Sequence, residues 1–341
     1  MDATERFLGD LTGQYVMVML DLGRRVGLLD ALRAGPGTAA EIATRAGAYP
    51  RAADEWLRLL TAAGYVRHEG GVFAFADGMA ELFDPARSPL DVDVWLRMGP
   101  LAGRIMPELA TSVRDGRGVP YAAYEPDFTE MQDRIGQAGY DRSLLTEWVP
   151  AVPGLADRLA AGARVADLGT GGGYALCLLA GAFPASTFTG FDIDAEGVAL
   201  GTRRARDRGL GNVTFARRDL TDAPDGEYDV VLAIDTVHDL PDPARTLRGV
   251  RDALRPDGLL VLVEPTGTGD VDVDTAAPGA VLRYFSSLFH CMQVSLAAGG
   301  AGLGNGWPTD DALDTLRRAG YVPAEPVFAP SGLTLFPARP A

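Results

Sequence analysis

The sequence contains no lysine and only two cysteines, and these shortages already limit what the protein can be. All 31 basic residues are arginine, which we attribute to GC-rich coding. The two cysteines, Cys177 and Cys291, lie far apart in the chain. They exclude a disulfide framework and favour a reducing compartment such as the cytoplasm.

Long apolar runs and excess positive charge are missing as well. No run reaches the ~18 residues of a membrane span, and the N-terminus lacks the pattern of a secretory signal. The formal net charge is −15, which disfavours nucleic acid and anionic membranes as partners. We therefore expect a cytoplasmic protein, and its 341 residues suffice for two domains.

A glycine-rich stretch at residues 164–173, Arg-Val-Ala-Asp-Leu-Gly-Thr-Gly-Gly-Gly, follows an apolar run and precedes an apolar helix pattern. Such a strand, turn and helix let a ligand lie against bare main chain at a helix N-terminus. Gly169 and Gly171 belong to this turn, and Asp167 ends the strand. We expect Asp167 either to orient the loop or to meet a cationic ligand.

Further predicted strands end in acidic residues. Thr187–Asp192 is a second strand, and its terminal Asp192 follows the glycines at the distance suited to ribose hydroxyls. A third strand at 212–215 precedes Asp219, which could bind an exocyclic amine. Residues 228–234 and 258–263 supply a fourth and a fifth strand.

Four motifs in this order resemble class I S-adenosylmethionine-dependent methyltransferases over about residues 160–341. They are D-L-G-T-G-G-G at 167, F-D-I-D at 191, R-R-D-L at 217 and L-R-P-D-G-L-L at 254. The alternative, a Rossmann dehydrogenase, lacks its G-x-G-x-x-G fingerprint here. The resemblance implies an α/β fold with a Rossmann-like, doubly wound, seven-stranded sheet. It implies S-adenosylmethionine as cofactor, bound by Asp167, Gly169, Gly171, Asp192, Asp219 and Leu220.

The N-terminal part predicts three helices and a hairpin, which together make a mainly helical winged-helix domain over residues 1–90. Apolar residues at helical spacing fill Tyr15–Leu32, Thr38–Glu41 matches a capping box, and Gly70-Gly71 marks the hairpin turn. A DNA-binding regulator is an alternative, but the helix at residues 51–63 has no net positive charge.

This arrangement resembles the winged-helix dimerisation domain that precedes many small-molecule methyltransferases. The resemblance and the apolar excess on Tyr15–Leu32 predict a homodimer. Residues 91–160 are predicted to be a helical connector that covers the active site, and 161–341 the catalytic domain. Trp95, in the connector, is a candidate substrate contact.

His238 and Asp239 follow the fourth strand, where the carboxyl ends of parallel strands open on the ligand crevice. A histidine suits proton transfer at neutral pH. The His-Asp pair resembles that of winged-helix O-methyltransferases, in which the histidine is the general base. Asp239 is a second candidate base.

A third histidine occurs in Phe289-His290-Cys291-Met292. The segments V-H-D-L and F-H-C-M resemble α-keto acid C-methyltransferases of bacterial peptide-antibiotic biosynthesis. That resemblance implies that His238 and His290 bind a metal ion, Fe or Zn, which chelates the keto acid. A core or helix-capping role for His290 is the alternative.

The O-methyltransferase pattern also places G-G-x-E-R-T after the corresponding helix, and residues 299–307 here contain no acid. A base–acid pair is therefore expected to be incomplete, with Glu264 available as a polar partner. The sequence thus favours methylation of the β-carbon of an α-keto acid through a metal-chelated enolate. A hydrophobic keto-acid side chain is favoured, because no acidic cluster stands out.

Two alternatives remain open at this point. The first is a metal-free small-molecule O-methyltransferase with His238 as general base. The second is a methyltransferase-fold protein that binds the donor but catalyses another reaction.

Overall fold

The computed structural model describes residues 1–88, 90–221, 224, 226–329 and 332–341. The chain divides into two compact units, Met1–Arg104 and Ile105–Ala341. No helix in the described ranges is both long enough and apolar enough to cross a membrane.

The N-terminal unit is built from helices around one small core, with a hairpin after the fourth helix. Its elements are α1 Ala3–Arg25, α2 Leu28–Arg33, α3 Ala39–Ala46, α4 Pro50–Ala62, β1 Val66–Glu69, β2 Val72–Phe75, α5 Met79–Leu82 and the start of α6 Val92–Asp115. The core includes Leu20, Ile42, Leu57 and Leu60, all at most 2% exposed.

Several local predictions are confirmed in this unit. The Thr38–Glu41 capping box is present, with both reciprocal hydrogen bonds. β1 and β2 pair antiparallel across the Gly70-Gly71 turn. The single helix predicted over Tyr15–Leu32 is wrong, because the chain breaks at Gly27, which adopts a left-handed φ of 75°.

The C-terminal unit has an α/β fold, built from a β-sheet and ten α-helices among the described residues. Its helices are α7 Asp127–Ser143, α8 Val149–Ala151, α9 Leu155–Ala161, α10 Tyr174–Ala182, α11 Ala195–Asp207, α12 Pro243–Ala253, α13 Val271–Ala276, α14 Ala280–Ser286, α15 Met292–Ala297 and α16 Thr309–Arg318. Its strands are β3 Arg164–Leu168, β4 Thr187–Asp192, β5 Val213–Arg217, β6 Tyr228–Ile234, β7 Leu254–Glu264, β8 Thr266–Gly267, β9 Trp307–Pro308, β10 Tyr321–Pro323, β11 Val327–Phe328 and β12 Thr334–Pro340.

Seven strands form the predicted sheet in the order β10-β12-β7-β6-β3-β4-β5, and the short β11 pairs with β12. β3 to β7 are mutually parallel, whereas β12 runs antiparallel to β7. Alternate residues of β6 belong to two separate hydrophobic clusters, Val230 and Leu232 to one and Val231 and Ala233 to the other. Burial on both faces explains the continuous apolar runs in these strands.

The sheet order determines where the ligand crevice lies. β3 is the middle one of the five parallel strands, with β4 on one side and β6 on the other, so the chain reverses direction across the sheet at β3. In a doubly wound sheet, ligands bind beyond the carboxyl ends of the strands at such a point. The segments that follow β3, β4 and β6 should therefore share one cavity.

Helix α1 carries an exposed apolar stripe. Leu8, Tyr15 and Leu22 recur every seven residues and are 53%, 59% and 42% exposed, and Val18 lies between the last two at 54%. A stripe with this period suits packing between two helices.

We predict that Val18→Asp converts a homodimer into a monomer, because it places a charge in this stripe. The control is Gly13→Asp, at an exposed position of the same helix where an added Cβ meets no neighbouring atom. Sedimentation velocity at micromolar concentration gives the mass of each variant. A monomeric parent protein would contradict the prediction.

Candidate functional site

One cavity of about 590 Å³ lies in the C-terminal unit beyond the carboxyl ends of β3, β4 and β6. Residues following each of these strands line it. All six residues predicted to bind the methyl donor lie in its wall, namely Asp167, Gly169, Gly171, Asp192, Asp219 and Leu220. Two of the predicted chemical residues, Asp239 and His290, lie there as well.

The glycine-rich loop is held in place by Asp192. Its Oδ2 accepts a hydrogen bond of 2.7 Å from the Gly171 backbone, and its Oδ1 accepts one of 2.9 Å from the Asp194 backbone. Gly171 has a φ of 52°, and a Cβ added there would have no atom within 4 Å. The loop therefore presents bare main chain to the cavity, as a closely approaching ligand requires.

Asp167 is a buried carboxylate with an unused atom. It is 3% exposed, and its Oδ1 has no hydrogen-bond partner in the described part of the chain. Burial raises the pKa of Asp167 to about 7. A positively charged ligand group at this point would restore the ionised form and satisfy the free oxygen.

Asp219 lines the same cavity, next to the buried Leu220. Its Oδ1 accepts hydrogen bonds from the backbone and the hydroxyl of Thr221, at 2.9 and 2.8 Å. These bonds lower the pKa of Asp219. Its carboxylate therefore stays ionised and can accept a further hydrogen bond from a ligand.

Helix α7 is linked to the glycine loop through Arg204 of α11, which the sequence did not predict. Arg204 of α11 bonds both carboxylate oxygens of Asp133 on α7, at 2.9 and 2.7 Å, and also the Gly172 carbonyl. Asp133 lines the cavity. The two charged residues lie 71 positions apart, so no local pattern could have linked them.

The acid–base cluster is centred on His238, which is 1% exposed. Its Nδ1 is hydrogen-bonded to Glu264 Oε2 at the end of β7. Its Nε2 lies 3.2 Å from Asp239 Oδ1. The expectation of an incomplete base–acid pair is therefore wrong, because Glu264 supplies the acid that residues 299–307 lack.

The turn that carries His238 is anchored by the same glutamate. Glu264 Oε1 accepts a hydrogen bond of 2.7 Å from the Val237 backbone. Asp235, just before this turn, has a φ of 54°, which is rare for a residue with a side chain. Strain of this kind is retained where the surroundings enforce it, often at functional sites.

The charges in this cluster shift both of its central pKa values. Burial lowers the pKa of His238, but the Asp239 and Glu264 carboxylates outweigh burial and raise it well above its ordinary value. Burial raises the pKa of Asp239 to about 6, against the opposing effect of His238. Asp239 lines the cavity, whereas His238 lies behind it and outside the lining.

His290 lies on the cavity wall in a π-helical turn, Ser287–Cys291, and is 5% exposed. Burial and the charge of His238 lower the pKa of His290 to about 3. Burial also raises the pKa of the adjacent Cys291 thiol to about 12. Both side chains are therefore uncharged at neutral pH.

Two sets of possible metal ligands occur within the described residues. One combines His238, Asp239 and Cys291, and the other combines Asp235, His238 and Glu264. His290 belongs to neither set. The predicted metal pair of His238 and His290 therefore does not coincide with either cluster.

The lining is acidic, contrary to the expectation that no acidic cluster stands out. Six aspartates line the cavity, which are Asp133, Asp167, Asp192, Asp219, Asp235 and Asp239. No arginine belongs to the described lining. The sequence could not show this, because the six residues come from separate segments.

Trp95 belongs to the N-terminal unit. It lies on α6 and is partly buried. Its role as a substrate contact stays a prediction.

Comparisons with known proteins agree on one family. A family model described as a methyltransferase domain matches residues 159–285. A second, described as an Rv2258c-like winged HTH domain, matches residues 14–75. The chain is 30% identical over 271 residues to a 2,7-dihydroxy-5-methyl-1-naphthoate 7-O-methyltransferase of Streptomyces carzinostaticus, covering 75% of this chain and 79% of that one.

Solved structures with the same fold cover nearly the whole chain. The mitomycin 7-O-methyltransferase MmcR superposes with a TM-score of 0.77 at 20% identity, over 99% of this chain and 98% of that one. An O-methyltransferase from neocarzinostatin biosynthesis, NcsB1, was solved with S-adenosyl-L-homocysteine and 1,4-dihydroxy-2-naphthoic acid. It superposes with a TM-score of 0.65 at 21% identity, over 98% of each chain.

We predict that His238 titrates above the ordinary histidine pKa of about 6.5, because two carboxylates flank it. Glu264→Gln removes one of these charges and should lower the midpoint, although Asp235, Asp239, Cys291 and His290 still surround the ring. The control is the exposed Glu227→Gln. NMR titration of the imidazole resonances measures the midpoint, and an unchanged value in Glu264→Gln would refute the assignment.

Proposed function

Because this chain belongs to the class I S-adenosylmethionine-dependent methyltransferases, we propose that it methylates a hydroxyl oxygen of a small aromatic molecule. One observation carries the proposal. A single cavity is lined by the predicted donor-binding residues and by Asp239, whose partner His238 is already paired with Glu264. A hydroxyl held in this cavity would meet both an activated methyl group and a proton acceptor.

The donor residues match the chemistry of S-adenosylmethionine, which supplies a methyl group already activated on a sulfonium. Asp192 would accept hydrogen bonds from ribose hydroxyls, and Asp219 would accept one from the adenine amine. The free Oδ1 of Asp167 would bind a cationic part of the donor. These residues bind and orient, which supplies much of the acceleration when the reagent is already reactive.

The proton of the acceptor hydroxyl would pass to Asp239, which lies beside the charged His238. Asp239 faces the cavity, and its pKa of about 6 leaves it ionised at neutral pH yet more basic than an ordinary aspartate. His238 Nε2 lies 3.2 Å from Asp239 Oδ1, and the positive charge of His238 favours the ionised form of this carboxylate. Glu264 holds the imidazole from the other side and stabilises its positive charge.

The relatives support oxygen as the acceptor atom. The naphthoate relative and both solved structures are O-methyltransferases by name, and two of the three come from antibiotic pathways by name. A role in antibiotic biosynthesis, on a small-molecule acceptor, is therefore part of the proposal.

The competing function is methylation of the β-carbon of an α-keto acid through a metal-chelated enolate. Its supporting observation is the cluster of His238, Asp239 and Cys291, whose ligand atoms lie within 4.8 Å of one another. An Fe or Zn ion there would supply Lewis-acid polarisation. The predicted pair of His238 and His290 does not fit this cluster, because His290 lies outside both ligand sets.

We predict that Asp192→Ala weakens S-adenosylmethionine binding by about 1.5–3 kcal/mol, the range for hydrogen bonds to charged groups. The mutation removes both a proposed ribose contact and the anchor of Gly171. Isothermal titration calorimetry measures the affinity. Asp207→Ala, at the exposed end of α11, should leave it unchanged, and an unaltered affinity in Asp192→Ala would remove this residue from the donor site.

Incubation with a panel of phenols and α-keto acids, with and without a chelator, distinguishes the two functions. Mass spectrometry identifies which acceptors are methylated. We expect methylated phenols, no dependence on chelator, and a loss of at least about 100-fold in kcat for His238→Ala, within the range for acid–base groups. Chelator-sensitive methylation of keto acids alone, lost in both His238→Ala and His290→Ala, would establish the competing function instead.

A further inference from the structure

His290 has an unused hydrogen-bonding atom on the cavity wall. Its side chain is 95% buried, since 5% is exposed. Its Nε2 is buried without a hydrogen-bond partner among the described residues, although His290 lines the cavity. Unsatisfied buried polar atoms are rare in native proteins, and each calls for a specific explanation such as a ligand.

Aromatic side chains hold the His290 ring on three sides. Phe128 stacks on it at 4.0 Å between centroids and an angle of 28°. Tyr124 and Tyr121 approach edge-on, at 4.8 and 5.7 Å. The ring is therefore oriented by packing and does not need a hydrogen bond for this purpose.

Neither tyrosine hydroxyl is directed at His290. Tyr124 donates to the Phe289 carbonyl at 2.5 Å, and the Tyr121 hydroxyl bonds Thr129 Oγ1 at 3.1 Å. Among the ring's three aromatic neighbours, none hydrogen-bonds its Nε2. A polar group of a bound molecule can do so, because Phe128, Tyr121 and His290 all line the cavity.

His290 lines the same cavity as the proposed proton acceptor, Asp239. The following residue, Cys291, places its Sγ within 4.8 Å of ligand atoms of both His238 and Asp239. Because Asp239 and His290 line one cavity, a molecule bound there with a hydroxyl at Asp239 can also contact His290. Phe128 and Tyr121 also line the cavity and present flat apolar surface to a bound molecule. Such a surface favours an acceptor with a planar aromatic ring.

The charge of the cavity selects against anionic acceptors. Asp235, Asp239 and Glu264 surround His238, so this end carries more carboxylates than cationic groups. Within the described lining no arginine is present to receive a carboxylate. An acceptor carboxylate would lose its hydration and gain no cationic partner here.

We propose that the acceptor is an uncharged aromatic phenol with a second hydrogen-bonding group, such as a ketone, and that His290 binds this second group. The proposal rests on the proposed function and narrows its substrate class. It separates this chain from relatives whose names specify a naphthoate. His290 is thereby a specificity-determining residue.

The test uses the whole protein and three probes on one scaffold, which are a naphthol, its ortho-acetyl derivative and its ortho-carboxylate. The parent protein should give the highest kcat/KM with the ketone and the lowest with the carboxylate. His290→Phe keeps the aromatic stack and removes the polar edge. It should reduce the ketone's kcat/KM about tenfold more than that of the unsubstituted naphthol, the effect of one lost hydrogen bond.

His290→Asn retains a polar side chain and should recover part of the ketone preference. Donor affinity, measured by calorimetry in each variant, shows that the protein is folded. A parent preference for the carboxylate, or equal losses on all three probes in His290→Phe, would overturn this proposal while leaving hydroxyl methylation intact. Donor binding without transfer to any phenol would instead defeat the proposed function itself.

Discussion

The candidate site depends on the buried contact between His238 and Glu264. It joins the turn after β6 to the end of β7, and the same glutamate accepts the Val237 backbone. A buried carboxylate is unfavourable unless it is paired and hydrogen-bonded, and Glu264 satisfies this condition with one imidazole and two main-chain donors, Thr236 and Val237. The contact fixes the imidazole, raises its pKa and leaves Nε2 facing Asp239.

A second constraint is the concentration of carboxylates around one cavity. Six aspartates around one cavity repel one another, and several of them are stabilised by ion-pair or hydrogen-bond partners. Arg204 pairs with Asp133, backbone donors stabilise Asp192, and Thr221 stabilises Asp219. Asp167 keeps an unsatisfied oxygen, which matches a cationic donor. The electrostatic field of the cavity therefore fits a sulfonium reagent and disfavours an anionic acceptor.

The two histidines of the C-terminal unit have opposite environments despite their proximity. His238 lies among carboxylates, which favour its charged form, whereas His290 lies among aromatic rings and stays neutral. The two environments therefore support the proposed roles, a charged imidazole beside Asp239 and a neutral imidazole that can hydrogen-bond. The resemblance to two-histidine metal enzymes rests on residue identity, and residue identity alone does not distinguish these two environments.

Local physics let the sequence predict the strands and the glycine loop, and the resemblance of four motifs indicated the family. β3, β4 and β6 follow from short apolar runs, and the positive φ at Gly171 follows from the glycine spacing. The six predicted donor-binding residues could be named because each lies at or just after the carboxyl end of a strand, and these ends open on the crevice. The capping box and hairpin are equally local. The break at Gly27 was missed, because the apolar spacing continued through it.

Only the tertiary structure decided which distant side chains meet. Glu264 pairs with His238 because parallel β6 and β7 end at the same edge of the sheet, and no spacing rule relates these two positions. Arg204 meets Asp133, and Phe128 stacks on His290, because the fold brings helical segments together that are distant in the sequence. The burial and the pKa of each side chain at the site depend on such distant neighbours. The sequence could therefore name the chemical residues, but the fold alone assigned the acid to Glu264 and left His290 facing the cavity.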